Sequence, residues 1–257
     1  MEVDDRGKAV FSHADFGELL ARFVEGGGVR YEAWSRDVVS GRQLDAYLER
    51  IARISPDTAP NLFPTQADRA LYWVCAHNAF AIRSILRHWP VESVREIEPG
   101  WQPFSGYGYY RKARFAAGGR KMSLAGITGG KLPAEARRDA RVLLLVNCGS
   151  ASCAPLRPEI ATTTSMEGLL ASATAAFLSD PAGLRVIHAE RRIQVSAVLK
   201  RGHHMVSVDP RSGRGRGKEA LRRWLFTVAP PAVSPDIALA REYSLEFMPW
   251  DWSIKAR

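Results

Sequence analysis

The sequence predicts an α+β fold, with helices packed around a small mixed or antiparallel sheet in a single domain. Three observations lead there. Helical spacing of apolar residues dominates the first ninety positions, and the clearest extended runs come after residue 140, so the elements are segregated rather than alternating. The 257 residues, 46% of them hydrophobic, suit one substantial core. No repeat and no long linker defends an internal boundary. The expected domain is therefore 1–257, its core running from about 11 to 254.

In chain order, Phe16, Leu19, Leu20 and Phe23 recur at helix spacing until Gly26-Gly27-Gly28 breaks the pattern. Val29 to Trp34 reads as extended. A second helix is expected over about 41–54, with Leu44, Tyr47, Leu48 and Ile51 on one face and Ser55-Pro56 ending it. The segment 67–88 is the strongest helix, its stripe formed by Leu71, Val74, Cys75, Asn78, Ile82, Ile85 and Leu86. An amide on such a stripe needs partners, so Asn78 is either a loop clamp or a site residue. His77 lies off the stripe and is expected at the surface.

Residues 91–130 read as long loops with short extended pieces. Thr164 with Glu167 makes a capping box for a helix through Leu178. Leu184 to His188 and Arg192 to Val198 then form two strands of a hairpin. A short helix over about 218–228 follows, and Phe247, Trp250 and Trp252 are expected to pack back on the body.

The formal net charge of +9 suits an anionic partner. Arg211 to Arg223 holds six basic residues against Glu219, so the basic loop 211–218, with Arg211, Arg214, Arg216 and Lys218, is the expected contact for an acidic partner. No aromatic residue interleaves with these, and nucleic acid is not the expected partner. No stretch approaches the roughly 20 apolar residues of a membrane span. Met1 to Val10 is too charged for a secretory h-region, so a cytoplasmic location is expected.

Chemistry concentrates in Asn147 to Leu156, NCGSASCAPL, after an apolar run, Val142 to Val146, that reads as a buried strand. Small residues between Cys148 and Cys153 allow a tight loop with exposed N–H groups. Cys75, Cys148 and Cys153 are an odd and small set, which argues against a disulfide scaffold. A bridge between Cys148 and Cys153 would require a strongly bent loop, so both are read as thiols.

Several stretches together resemble the family known as domain of unknown function 547. FVEGGGVRY is similar to the family's early "V-x-G-x-V-x-Y" element, and YWVCAHNAFAI to its "F/Y-W-I-N-A-Y-N-A" helix. DARVLLLVNCGSASCAPLR resembles its most specific motif at Asp139, Arg141, Asn147, Cys148, Gly149, Ser150, Ser152, Cys153, Pro155 and Leu156. MPWDWSIK is similar to its terminal "Y-D-W-S-L-N". The chain departs where the family carries a Glu-His pair before the cysteine loop, for Thr128 and Gly129 stand there. Leu143 replaces a histidine, and Cys75 and His77 replace Asn and Tyr.

Two functions follow as expectations. One is a thiol-dependent hydrolase or acyl transferase acting on an unidentified small molecule or protein, with Cys148 as nucleophile beside Cys153 and with His203 or His204 as base. Its oxyanion would sit on the N–H groups of Gly149 and Ser150. Asn78, Asn147, Ser150, Ser152 and Arg141 are the candidate binding residues. The other is a non-catalytic binding or scaffold module whose polar site has decayed. No cofactor is expected, and a zinc site from Cys148, Cys153, His203 and His204 lacks the usual ligand spacing.

Overall fold

In the computed structural model, which describes residues 2–3, 7, 9–97, 106, 108–161, 165–201 and 217–257, the apolar stripes of the first half become four helices. These are α1 (Ala14–Phe23), α2 (Tyr31–Arg36), α3 (Val38–Arg53) and α4 (Gln66–His88). Phe16, Leu20, Leu44, Tyr47 and Ile51 are all buried, the Phe16 and Tyr47 rings stacking with centroids 5.0 Å apart.

Two boundaries differ from the sequence expectation. Only Gly28–Val29 is extended, paired with Val24–Glu25, and the chain turns at once into α2, which buries Tyr31 and Trp34. Helix α3 starts at Val38 rather than near 41, because the Asp37 carboxylate accepts from the Ser40 N–H at 2.9 Å and caps it.

Helix α4 is the central post. Thr65 Oγ1 accepts from the Asp68 N–H, and the Asp68 carboxylate accepts from the Thr65 N–H, a reciprocal cap that fixes where the helix begins. It packs against α2 and α3. Its buried residues lie on almost every side, from Ala70 to Ile85, so it behaves as an interior helix rather than a one-sided surface helix. His77, expected at the surface, is fully buried for that reason.

Between residues 108 and 135 the chain makes a hairpin, Phe115–Ala117 with Arg120–Met122, and several short helical turns. The run Val142 to Val146 is not a strand. Ala140–Leu144 forms a 3-10 turn opened by Asp139, which accepts from the Arg141 N–H at 2.9 Å. Five consecutive aliphatic residues carry no period, and burial on all sides suits a tight helical turn as well as a strand.

The helix Met166–Ser179 follows, capped by Ser165 rather than Thr164, which lies outside the described residues. Glu167 does not close a capping box; its carboxylate takes the Arg141 guanidinium instead. Leu184–Ile187 and Arg192–Val195 form the expected antiparallel hairpin. Ser244–Phe247 then adds a parallel third strand, making a mixed sheet whose inner side is Leu184, Ile193, Val195 and Leu245. The helix Lys218–Val228 stands where the sequence places it. No helix among the described residues is long and apolar enough to cross a membrane.

Candidate functional site

Two asparagines build the cysteine loop from beneath. On α4 the Asn78 amide donates to the Leu145 carbonyl at 2.9 Å, and its oxygen accepts from the Asn147 N–H at 2.8 Å. Two backbone groups of the 145–147 segment, the Leu145 carbonyl and the Asn147 N–H, are thus satisfied by one side chain, the clamp reading of Asn78. Asn147 repeats the device: its amide donates to the Ala154 carbonyl at 2.7 Å, and its oxygen accepts from the Gly149 N–H at 2.6 Å. Tyr109, from the turn Gly108–Lys112, donates its hydroxyl to the Cys148 carbonyl at 2.8 Å.

Gly149 is required at the bend. Its φ is +82°, and a Cβ there would meet Ile85 Cδ1 at 2.1 Å. Such a bend brings the Cα atoms of Cys148 and Cys153 to 5.9 Å, and the two sulfurs are joined as a disulfide. This corrects the reading of two separate thiols: the strongly bent loop that a bridge requires is the loop that forms. Both cysteines are buried, Cys148 1% exposed, and the buried Ser150 hydroxyl lies 3.2 Å from Cys148 Sγ and 3.5 Å from Cys153 Sγ. Cys75 is the free cysteine among the described residues; burial pushes its thiol well above the usual range.

The C-terminal tail covers the loop from the other side. Ala151 N–H donates to the Ser253 carbonyl at 2.8 Å, and Lys255 N–H donates to the Gly149 carbonyl at 2.8 Å. Ser152 binds Asp251 twice, its hydroxyl accepting from the Asp251 N–H at 2.7 Å and its own N–H donating to the Asp251 carbonyl at 3.3 Å. The same tail reaches the early hairpin, where the Val29 N–H donates to the Lys255 carbonyl at 3.2 Å.

A cleft of about 420 Å³ opens beside this junction. Ser152 and Cys153 line one side, Asp251 and Lys255 the tail side, and Phe177 and Gln194 belong to the neighbouring helix and sheet. Lys255 donates its ammonium to the Cys153 carbonyl at 3.0 Å.

The sequence-selected residues divide accordingly. Asn78, Asn147, Cys148, Cys153, Ser150 and Ser152 come together in or under the loop. Arg141 does not join them: its guanidinium pairs with Asp139 and, through two bonds of 2.6 and 2.8 Å, with Glu167, tying the 3-10 turn to the following helix. The Gly149 N–H, expected to face an oxyanion, is engaged by Asn147. His203 and His204 lie outside the described residues, as do Arg211, Arg214 and Arg216 of the basic loop, while Lys218 is exposed at the start of its helix. Of the other histidines, His77 packs 6.4 Å from the Tyr110 ring centroid and His188 bonds Tyr243 at the surface. Sequence reasoning missed Tyr109 and Lys255; the order of the terminal motif WSIK was the signal that could have found the lysine.

Neither a curated protein nor a solved structure matches the chain. Residues 63–178, from just before α4 through the clamped cysteine loop to the helix Met166–Ser179, match the model of the family described as Protein of unknown function, DUF547.

Proposed function

We propose that this protein is a non-catalytic binding module, its ligand taken in the cleft between the cysteine loop and the C-terminal tail. The observation that carries this reading is the state of the loop's sulfur. A nucleophilic cysteine acts as an accessible thiolate. Cys148 is 1% exposed, bonded to Cys153, and set in a loop whose backbone is held by Asn78, Asn147 and Tyr109. The thiol-dependent hydrolase or transferase reading would need that bond opened and the sulfur uncovered.

Other expectations take their place beside this one. The disulfide supports an oxidising compartment over the cytoplasmic location, since glutathione-poised compartments keep thiols reduced. Pairing of the tail with segments near residues 29, 93 and 150 supports reading about 11–254 as one unit. An acidic partner remains the one whose charge complements Arg211, Arg214, Arg216 and Lys218.

The test is turnover. The protein, untreated and after incubation with dithiothreitol, is assayed against activated acyl esters and thioesters beside Cys148→Ser. The expected result is no hydrolysis or transfer that depends on Cys148 in either state. Turnover abolished by Cys148→Ser would overturn the reading and restore the thiol enzyme.

A further inference from the structure

The cleft beside the cysteine loop holds a cation without a fixed counter-charge. Lys255 gives one hydrogen bond to the neutral carbonyl of Cys153, and among the described residues no carboxylate oxygen lies within ion-pair distance of its ammonium. An ammonium has three N–H donors, so most of its capacity is left over. Burial lowers its pKa, Asp180 opposes that through attraction, and Arg257 adds to it through repulsion. A partly desolvated cation in this position gains by meeting an anion.

The other charged groups of the cleft are engaged. Asp251 accepts from the Ser253 N–H and hydroxyl at 2.9 and 2.7 Å, and Asp180 accepts from the Ala182 N–H at 2.8 Å. Arg185 donates one N–H to the Pro181 carbonyl at 2.8 Å from an exposed position, where water screens its charge more than that of the half-buried Lys255. The two carboxylates also set a limit on ligand charge, because each repels a dianion more strongly than a monoanion. Phe177, Met248 and Pro249 contribute apolar side chains to the lining of the same cleft, whose volume of about 420 Å³ falls among small-molecule sites.

We propose that the cleft binds a small monocarboxylate, its carboxylate on the Lys255 ammonium and its hydrocarbon body against Phe177, Met248 and Pro249. This rests on the binding-module reading and names the ligand class of the same site. An acyl chain of several carbons offers hydrocarbon to these side chains, whereas acetate has only a methyl group to offer.

The experiment titrates the full chain, followed by amide NMR, with hexanoate, hexanamide and hexyl phosphate. Hexanoate is expected to bind about tenfold more tightly than either alternative, a factor that matches one charge-assisted contact, with shifts at Ser152 and Gln194. Lys255→Arg should keep the preference and Lys255→Met should erase it. Should Lys255→Met loosen the tail, the arginine variant and the shift map still decide the matter. Equal binding of hexanamide, or no response at Ser152 and Gln194, would overturn the ligand class. The non-catalytic reading would survive that outcome, since it falls only with turnover that depends on Cys148.

Discussion

The cysteine loop has two sides, and they use polar groups in opposite ways. Toward α4, Asn78, Asn147 and Tyr109 are committed to backbone groups of the loop, with lengths of 2.6 to 2.9 Å. Toward the cleft, Ser152 holds the tail at a partly open position, and Lys255 keeps donors that the described residues do not fill. Burial explains the difference. Away from water each unpaired polar group costs about 1–3 kcal/mol, so the inner side exhausts its groups in fixing shape. Only on the outer side, where water can stand in until a ligand arrives, is spare capacity tolerated. A residue's presence in a signature motif therefore does not decide whether it recognises anything.

The contrast is broken most forcefully at Asn78. Asn78→Leu leaves the Leu145 carbonyl and the Asn147 N–H buried without partners, and a loss of about 4 kcal/mol is expected in urea unfolding. A loss below about 1 kcal/mol would show that the inner side does not depend on the clamp.

His13 sharpens the same contrast by setting a buried group against the half-buried Lys255. Its Nδ1 shares a hydrogen bond of 2.7 Å with the Tyr47 hydroxyl, and burial, then repulsion from Arg50, lowers its pKa to about 3. In the unfolded chain the ring takes a proton near pH 6.5, while in the folded chain it stays neutral until far lower pH. This contribution is therefore fully present above pH 6.5 and is lost as pH falls toward 3. At about 1.4 kcal/mol per unit, moving from pH 7 to pH 4.5 should remove about 3 kcal/mol, and His13→Gln should flatten that part of the profile. An unchanged acid slope in the variant would assign the loss to other groups.

How much of this the sequence disclosed depends on whether the signal was local. Helix α4, its place in the chain and the amide on its stripe follow from spacing alone, and so does the hairpin of Leu184–Ile187 with Arg192–Val195. The run Val142 to Val146 misled because an unbroken apolar stretch has no period. His77 misled because α4 is wrapped on nearly every side, which only the packing of other elements reveals. The parallel pairing of Ser244–Phe247 joins residues about fifty positions from their partners, and four residues carry too little pattern to announce it. Within the site, the clustering of Asn78 with the cysteine loop was legible as a resemblance of motifs, while the disulfide depends on a bend that Gly149 alone permits. Lys255 was signalled only by its place in the terminal motif WSIK, because what distinguishes it is that no carboxylate among the described residues pairs with it in space.

The bond between Cys148 and Cys153 underlies the non-catalytic reading, and the most direct measurement of it is a thiol count. The protein is purified without reductant, unfolded in guanidinium chloride, alkylated with iodoacetamide and weighed intact. One added carbamidomethyl group, on Cys75, is the predicted mass, rising to three after prior reduction. Three groups without reduction would contradict the account, returning Cys148 to the thiols and the loop to candidate catalysis.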